Sequence, residues 1–134
     1  MTTKKETTYK SVKTADGSNT LFSFFVNEHY HSINGAIQES EHIFINSALK
    51  QCKKKNIHIF EIGFGTGLNA FLSFLYAKKE KIHITYTTIE LYPIDEEQIK
   101  FLNYAELLSP ENQSSFESLH TAKWGEQIVV NEFF

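Results

Sequence analysis

The clearest alternation of apolar and polar positions lies in the middle of the chain. The β-branched residues Ile57, Ile59 and Ile62 follow a run of lysines, which predicts a strand over 56–62. Apolar residues then recur at the spacing of one helix face, which predicts a helix over 68–79, at Leu68, Phe71, Leu72 and Leu75. Glycines fill alternate positions between these elements, so the pattern predicts a strand, a sharp turn and a helix.

The remaining pattern predicts further elements on both sides of this unit. Residues 9–26 alternate around Asp16 and Gly17, which predicts a hairpin. A second β-branched run predicts a strand over 82–90, and a last strand is predicted over 128–134. Helices are predicted over three other segments, namely 35–52, 95–108 with Asp95 as its N-cap, and a segment that begins at Pro110.

Strands that alternate with helices predict an α/β fold with a parallel sheet. Right-handed crossovers place the three strands in the order 3-2-1, which is one half of a doubly wound sheet. We therefore expect a single partial domain over 1–134, with the hairpin and a helix in 1–52 and the first half of the sheet in 53–134. The strand over 56–62 then has an open edge, which favours self-association.

The glycine turn carries the first candidate chemistry. A dinucleotide site needs its third glycine at the position of Leu68, and a phosphate-binding loop needs Gly-Lys-Ser/Thr, so both types are excluded. What remains is the acidic residue Glu61 before three alternate glycines. A carboxylate at a strand end suits a ligand that carries a cationic sulfonium and an ammonium group but no phosphate. A tight turn without a ligand is the alternative interpretation.

A second acidic residue strengthens the first interpretation. Glu90 ends the predicted strand over 82–90, about 20 residues beyond the glycines, where α/β folds place an acid that accepts hydrogen bonds from ribose hydroxyls. An exposed loop glutamate is the alternative interpretation of Glu90. Together with the glycine turn, its position favours the ribose role.

Further residues occur in a family-specific order. Asp16-Gly17-Ser18 is followed by Glu28-His29-Tyr30-His31-Ser32, by the core Gly63-Phe64-Gly65-Thr66-Gly67-Leu68-Asn69, and by Glu90 with Tyr92-Pro93. In this order they resemble the methyltransferase domain of the tRNA 5-methylaminomethyl-2-thiouridine biosynthesis proteins. This MnmC-like family includes members with a fused oxidoreductase domain and shorter members that lack it.

The resemblance implies the Rossmann-like fold of the S-adenosylmethionine-dependent methyltransferases, with S-adenosyl-L-methionine as the cofactor. It implies a set of cofactor-binding residues at Glu61, Gly63, Phe64, Gly65, Thr66, Gly67, Asn69 and Glu90. It further implies an enzyme of tRNA modification that methylates an amine, the 5-aminomethyl group of a wobble 2-thiouridine. The substrate of the complete enzyme would then be tRNA.

The resemblance also implies that part of the enzyme is missing. Members of the family continue into a further strand that ends in an Asp-Ala-Phe-like motif, which this sequence lacks. We therefore expect an incomplete fold and no methyl transfer by this chain alone, and we assign no catalytic residue. The alternative function is a non-catalytic module that binds an adenosine ligand or a partner protein.

The composition of the chain indicates which partners and which cellular compartment to expect. All 13 basic residues are lysine and the net charge is −3, which argues against tight nucleic-acid binding by this segment alone. The single Cys52 fits a reducing compartment, and no apolar run is long enough for a membrane span. We therefore expect a cytoplasmic chain that does not enter the membrane.

The histidines His29, His31 and His42 are weighed as metal ligands. No further ligand stands at a helpful spacing, so no metal site is predicted. The resemblance instead implies that Tyr30 and His31 line the cofactor or substrate pocket, and ordinary packing is an equal alternative for both.

Overall fold

The computed structural model describes residues 8–134, and the predicted hairpin is its first element. β1 (Tyr9–Lys13) and β2 (Asn19–Ser23) pair antiparallel across the turn at Asp16 and Gly17. The predicted second arm ends with β2, because the chain then turns into a two-residue strand, β3 (Glu28–His29), which pairs with β2. The hairpin is therefore confirmed, with a third strand that the pattern did not indicate.

The central strand, turn and helix follow the prediction. β4 (Asn56–Ile62) leads into α2 (Leu68–Glu80), which leads into β5 (His83–Ile89). The two strands are parallel, with Asn56 beside His83 and Ile62 beside Ile89. A parallel pair needs a crossover connection, and α2 provides it.

The core of the molecule surrounds α2. This helix contacts β5 on one side, the helices that precede β4 on a second side, and α5 (Gln113–Thr121) on a third. Its buried residues therefore occupy most of its circumference and are Leu68, Ala70, Phe71, Leu72, Ser73, Phe74 and Ala77. Burying a side chain as large as Phe71 or Phe74 contributes about 2–3 kcal/mol, so α2 is a firm support for the turn at its N-terminus.

The helix predicted over 35–52 is wrong as a continuous element. The segment forms three short helices in succession, α1 (Ala36–Ser40), a π-helix (Glu41–Asn46) and a 3-10 helix (Leu49–Gln51). Ser47 donates both its backbone N–H and its hydroxyl to the carbonyl of His42, at 3.0 and 2.8 Å. Such local bonds from serine compete with regular helical bonding, and they lie where the π-helix ends.

The helix predicted over 95–108 is divided in two. Its N-cap is confirmed, since Asp95 and Gln98 form a reciprocal capping box at the start of α3 (Glu96–Ile99). The second part is α4 (Tyr104–Leu108). Between them the Asn103 side chain is engaged by the hairpin, because it accepts from Asn19 N at 2.8 Å and donates to the Gly17 carbonyl at 3.0 Å. A tertiary contact therefore overrides the helical pattern.

The last predicted helix is confirmed and the last predicted strand is wrong. A 3-10 turn (Pro110–Asn112) leads into α5, so a helical segment does begin at Pro110. Residues 128–134 form no strand, because Asn131 accepts a hydrogen bond from the N–H of Phe133 at 2.8 Å and turns the chain. One backbone bond, from Ile84 N to the Phe133 carbonyl at 2.8 Å, links this segment to β5. The parallel sheet of the described residues therefore has two strands and not three.

The two faces of this sheet differ. The side chains of Ile57, Ile59, Ile84 and Tyr86 turn towards the core. On the opposite face Phe60, Ile62 and Ile89 are 63, 79 and 50% exposed. The other edge of β4 pairs with no strand in residues 8–134. Within this described segment, none of the helices combines the length and the apolar content that a bilayer crossing requires.

Candidate functional site

The candidate site is built around the turn between β4 and α2. Gly63, Gly65 and Gly67 all have positive φ angles, of 86, 56 and 73°. A Cβ on Gly65 would lie 2.9 Å from Cδ1 of Tyr30, and one on Gly67 would lie 2.8 Å from Cζ of Phe64. Glycine is therefore required at these two positions both by the backbone conformation and by close neighbours.

Glu61 lies at the end of β4 and is 7% exposed. Its carboxylate accepts hydrogen bonds from Asn69 Nδ2 and from Thr88 Oγ1, each at 3.1 Å. Burial raises the pKa of Glu61, whereas these hydrogen bonds act in the opposite direction and the nearby Glu90 carboxylate adds to the rise. The neighbouring Asn69 Oδ1 is buried and has no hydrogen-bond partner among the described residues.

Glu90 follows directly after β5 and holds the turn. One carboxylate oxygen accepts the N–H of Gly65 at 2.8 Å, and the other accepts the N–H of Tyr92 at 2.9 Å. The backbone reinforces this contact, because Gly63 N donates to the Ile89 carbonyl at 2.8 Å. The ends of two parallel strands are thus joined through the glycine turn, as expected for residues at the carboxyl edge of a sheet.

A cavity of about 190 Å³ lies beside the turn. The turn and the start of α2 form one wall of the cavity, and the segment before β4 forms the other. The residues that line the cavity include Tyr30, His31, Glu39, Phe44, Gly63, Phe64, Gly65, Thr66 and Asn69. This volume is below the roughly 300–1,000 Å³ of pockets that enclose a whole small molecule. It suits one part of an extended ligand.

Thr66 joins the turn to three distant parts of the chain. Its side chain is fully buried and its hydroxyl receives a hydrogen bond from Tyr104 at 3.2 Å. The same hydroxyl pairs with Nε2 of His31 at 2.9 Å. Nε2 of His120 lies 3.0 Å from the Thr66 carbonyl. The turn is therefore fixed from the N-terminal segment, from α4 and from α5.

The directions of these hydrogen bonds follow from chemistry. The Tyr104 hydroxyl donates to Thr66 Oγ1, so the Thr66 hydroxyl is free to donate to Nε2 of His31. A carbonyl only accepts, so Nε2 of His120 carries a hydrogen. Burial lowers the pKa of both histidines, against a weaker rise from the Glu39 carboxylate at His31. Both rings are therefore neutral near pH 7, and that of His120 carries its hydrogen on Nε2.

The structure brings together all of the residues that the sequence proposed for the site. Phe64 is the one whose ring also faces another element, since it packs against His120 and Trp124 with centroid distances of 5.2 and 6.1 Å. Tyr30 and His31 line the cavity, whereas His29 packs against the Phe22 ring.

Two contributors to the site were not predicted, and they are Tyr104 and His120. They lie 38 and 54 residues beyond Thr66, and nothing in the spacing of the chain marks them. The sequence predicts a helix that begins at Pro110, but it does not indicate which loop that helix covers.

Fold and site together define an α/β domain with a cavity beside a glycine turn, and two strand-end carboxylates bond to residues of that turn and of the helix after it. No protein-family model matches the chain. The tRNA 5-methylaminomethyl-2-thiouridine biosynthesis bifunctional protein MnmC of Campylobacter fetus subsp. fetus (strain 82-40) is 33% identical over 95 residues. The crystal structure of MnmC2 from Aquifex aeolicus is similar with a TM-score of 0.56 and 29% sequence identity, over 81% of this chain. These similarities support an MnmC-like family domain in this chain.

Both relatives are much longer than this chain. The match covers 67% of this chain but 15% of the Campylobacter protein, and the structural similarity covers 38% of the Aquifex chain. The chain thus corresponds to one part of each relative.

Proposed function

We propose that the glycine turn binds S-adenosyl-L-methionine and that the chain is the cofactor-binding part of a Rossmann-like methyltransferase. The observation that carries this proposal is the bond from Gly65 N to the Glu90 carboxylate, which brings a second strand-end acid to the glycine turn that follows Glu61. The name of the Campylobacter relative, a tRNA biosynthesis protein, supports a role in tRNA modification.

The residues present fit this cofactor chemically. Glu61 and the unpartnered Asn69 Oδ1 form a buried corner of hydrogen-bond acceptors. A buried acceptor without a donor is costly, and an ammonium group brings three donors and a positive charge to such a place. Binding of an ammonium group would also counter the rise in the pKa of Glu61.

The other expected roles follow from position. Glu90 accepts hydrogen bonds from the ribose hydroxyls, through the lone pairs of its carboxylate that the N–H groups of Gly65 and Tyr92 leave unused. The backbone of the turn lies against the cofactor at Gly63, where the space of a Cβ is open, whereas that space at Gly65 and Gly67 is filled by side chains of the protein. The N-terminus of α2 begins at this turn and attracts the carboxylate of the methionine part.

The proposed reaction is transfer of a methyl group to an amine of tRNA, the 5-aminomethyl group of a wobble 2-thiouridine. The cofactor, when bound, would supply a methyl group on a positively charged sulfur. The amine nitrogen would take up this methyl group and release a proton to solvent. The protein's part is to hold the two reactants in line at about 3–3.5 Å. We assign no catalytic residue.

Titration calorimetry with S-adenosylhomocysteine tests the proposed site. Glu90→Ala removes a charged acceptor and is expected to weaken binding by about 10- to 100-fold, in line with about 1.5–3 kcal/mol for hydrogen bonds to charged groups. Glu106→Ala removes an exposed carboxylate on α4 and is the matched control, with unchanged affinity expected. Equal affinities of the two variants would remove Glu90 from the site.

Methyl transfer to tRNA lacking the modification separates the enzyme from the alternative, a non-catalytic adenosine-binding module. We expect binding but no transfer by this chain alone. We expect transfer by the longer Aquifex relative, with loss of transfer when its residue at the position of Glu90 is changed to alanine. Transfer that persists in that variant would contradict a role for this position in the enzyme.

We also propose that a second copy of this chain pairs with the open edge of β4. The exposed apolar side chains of Phe60 and Ile62 beside that edge support this proposal.

We propose a cytoplasmic location for the chain. The single Cys52 supports this proposal, because it fits a reducing compartment.

A further inference from the structure

His120 on α5 lies against the glycine turn although the two are far apart in sequence. Its Nε2 lies 3.0 Å from the carbonyl oxygen of Thr66, so the ring donates a hydrogen bond to the turn's backbone. This carbonyl belongs to the residue between Gly65 and Gly67. The contact therefore fixes the orientation of a peptide unit within the turn itself.

The ring of His120 also fills the space that the glycine leaves. Nε2 lies 2.9 Å from the position of a Cβ on Gly67. The ring packs on Phe116 of the same helix and on Phe64 of the turn, with centroid distances of 4.9 and 5.2 Å. The histidine thus has two separable features at this place, a flat ring and a donor.

The electrostatic setting favours a neutral ring. His120 lies beside Gly67, which is the N-cap of α2, where the helix dipole disfavours a cation. The groups that face it are Phe64, Phe116 and the Thr66 carbonyl, and none of them is an acid. A neutral imidazole satisfies the carbonyl without adding positive charge next to a ligand that is itself cationic.

We propose that His120 is a positioning residue, which holds the glycine turn in its binding conformation by donating to the Thr66 carbonyl. On the other side of Thr66 the hydroxyl is held by Tyr104 and His31. The turn is thereby clamped between α5 on one side and α4 together with the N-terminal segment on the other. The choice of ligand rests on the function proposed above, whereas the clamp itself does not require a ligand.

Two substitutions separate the donor from the ring. His120→Gln keeps an N–H at a similar reach, and His120→Phe keeps a flat ring without a donor. His58→Gln, on the exposed face of β4, is the control for a histidine-to-glutamine change elsewhere. Amide hydrogen exchange at Gly65, Thr66 and Gly67 in the ligand-free chain reports the clamp directly, with exchange in the middle of α2 as the internal reference.

We expect His120→Phe to speed exchange at the turn by about 5- to 10-fold, the usual effect of one hydrogen bond, while exchange in α2 stays unchanged. We expect His120→Gln to restore slow exchange to within about 3-fold, and His58→Gln to change nothing. Long-range proton–nitrogen spectra should show the proton of His120 on Nε2. Across these variants, the affinity for S-adenosylhomocysteine should fall as amide exchange at the turn becomes faster.

Three results would overturn the proposal. The first is equally fast exchange at the turn in the Gln and Phe variants, since the donor would then not account for the contact. The second is slow exchange in both variants, and the third is a proton on Nδ1 of His120. Donor-dependent exchange in a chain that does not bind S-adenosylhomocysteine would support the clamp and contradict the proposed cofactor, so the two failures are distinguishable.

Discussion

Gly65 is a residue at which the proposed site tolerates little change. Its φ is 56°, and a Cβ there would approach the Tyr30 ring to 2.9 Å. Gly65→Val should therefore abolish binding of S-adenosylhomocysteine, because it strains the backbone by about 1–3 kcal/mol and displaces the cavity wall. Calorimetric titration measures the loss, and circular dichroism should show that most of the helix content is retained.

Two other glycines provide the controls for this prediction. Gly17 and Gly63 both have a φ of 86° and open space where a Cβ would stand. Gly17→Ala, in the distant hairpin, should lower stability without changing affinity, whereas Gly63→Ala adds the same backbone strain within the turn. If Gly65→Val bound the ligand normally, the ligand would have to lie elsewhere.

The buried histidines predict how stability depends on pH. Burial lowers the pKa of His120 from 6.5 to about 4, and it lowers the pKa of His31 as well. The unfolded chain therefore binds protons before the folded chain does, so unfolding free energy is highest above pH 6.5 and falls as pH decreases towards 4. The contribution of His120 is at most about 3 kcal/mol. Urea unfolding at several pH values measures this slope.

His120→Gln should flatten the slope between pH 6.5 and 4. The pKa of Glu61 is raised in the folded chain, so the folded chain binds a proton at Glu61 before the unfolded chain does. This offsets part of the fall in unfolding free energy as the pH decreases. Asp16, whose pKa falls to about 2 because hydrogen bonds from Ser18 and Gln38 outweigh its burial, contributes below this window. A wild-type slope that the Gln variant reproduces would contradict the assignment to His120.

At the residue scale, the parts of the site near β4 and β5 were predictable and the rest were not. Glu61 and Glu90 end two predicted strands, and parallel strands bring such ends together. His120 and Tyr104 reach the turn through the packing of α5 and α4, which depends on the whole core. No local spacing encodes a contact across 54 residues.

At the level of elements, Asn103 links the hairpin to the interruption between α3 and α4. Asn103→Ala leaves the N–H of Asn19 and the carbonyl of Gly17 without these partners. We expect a loss of about 1–3 kcal/mol of unfolding free energy, measured by urea titration, with faster amide exchange at the hairpin turn. Asn34→Ala, at an exposed position before α1, is the control. An unchanged hairpin in the Asn103 variant would show that water replaces these bonds at no cost.

The elements that the sequence predicts correctly are those whose local signals agree with one another. β4 and α2 match their predicted bounds closely, because β-branched alternation, a glycine turn and an apolar helix face agree locally. Helical pattern alone failed over 35–52 and 95–108, where Ser47 and Asn103 form bonds outside the regular helix. The strand predicted over 128–134 failed because Asn131 turns the chain.

At the scale of the whole molecule, the sheet is unequally covered. Parallel sheets are ordinarily packed on both faces, but one face here carries the exposed residues Phe60, Ile62 and Ile89. Backbone bonds to β5 come from the odd-numbered positions, as in His83 N to the Lys55 carbonyl and Gly63 N to the Ile89 carbonyl. The backbone groups of His58, Phe60 and Ile62 therefore point to the outer edge of β4 and are available to another strand.

We predict that two copies of the chain associate through this edge, in an antiparallel pairing centred on Phe60. Such a pairing is two-fold symmetric and joins the two sheets into one of four strands. Light scattering should then give a mass that rises with concentration towards twice the 15.5 kDa of the chain. Phe60→Lys should return the chain to the monomer mass, because two lysines would face each other across the pairing axis.

Thr87→Lys is the matched control, since Thr87 is exposed and lies beside Phe60 on the neighbouring strand. It places the same charge on the same face, but one strand farther from the edge, so association should persist. If Thr87→Lys dissociated the chain as fully as Phe60→Lys did, the exposed face rather than the edge would be the contact. A wild-type chain that stays at 15.5 kDa at every concentration would exclude both arrangements.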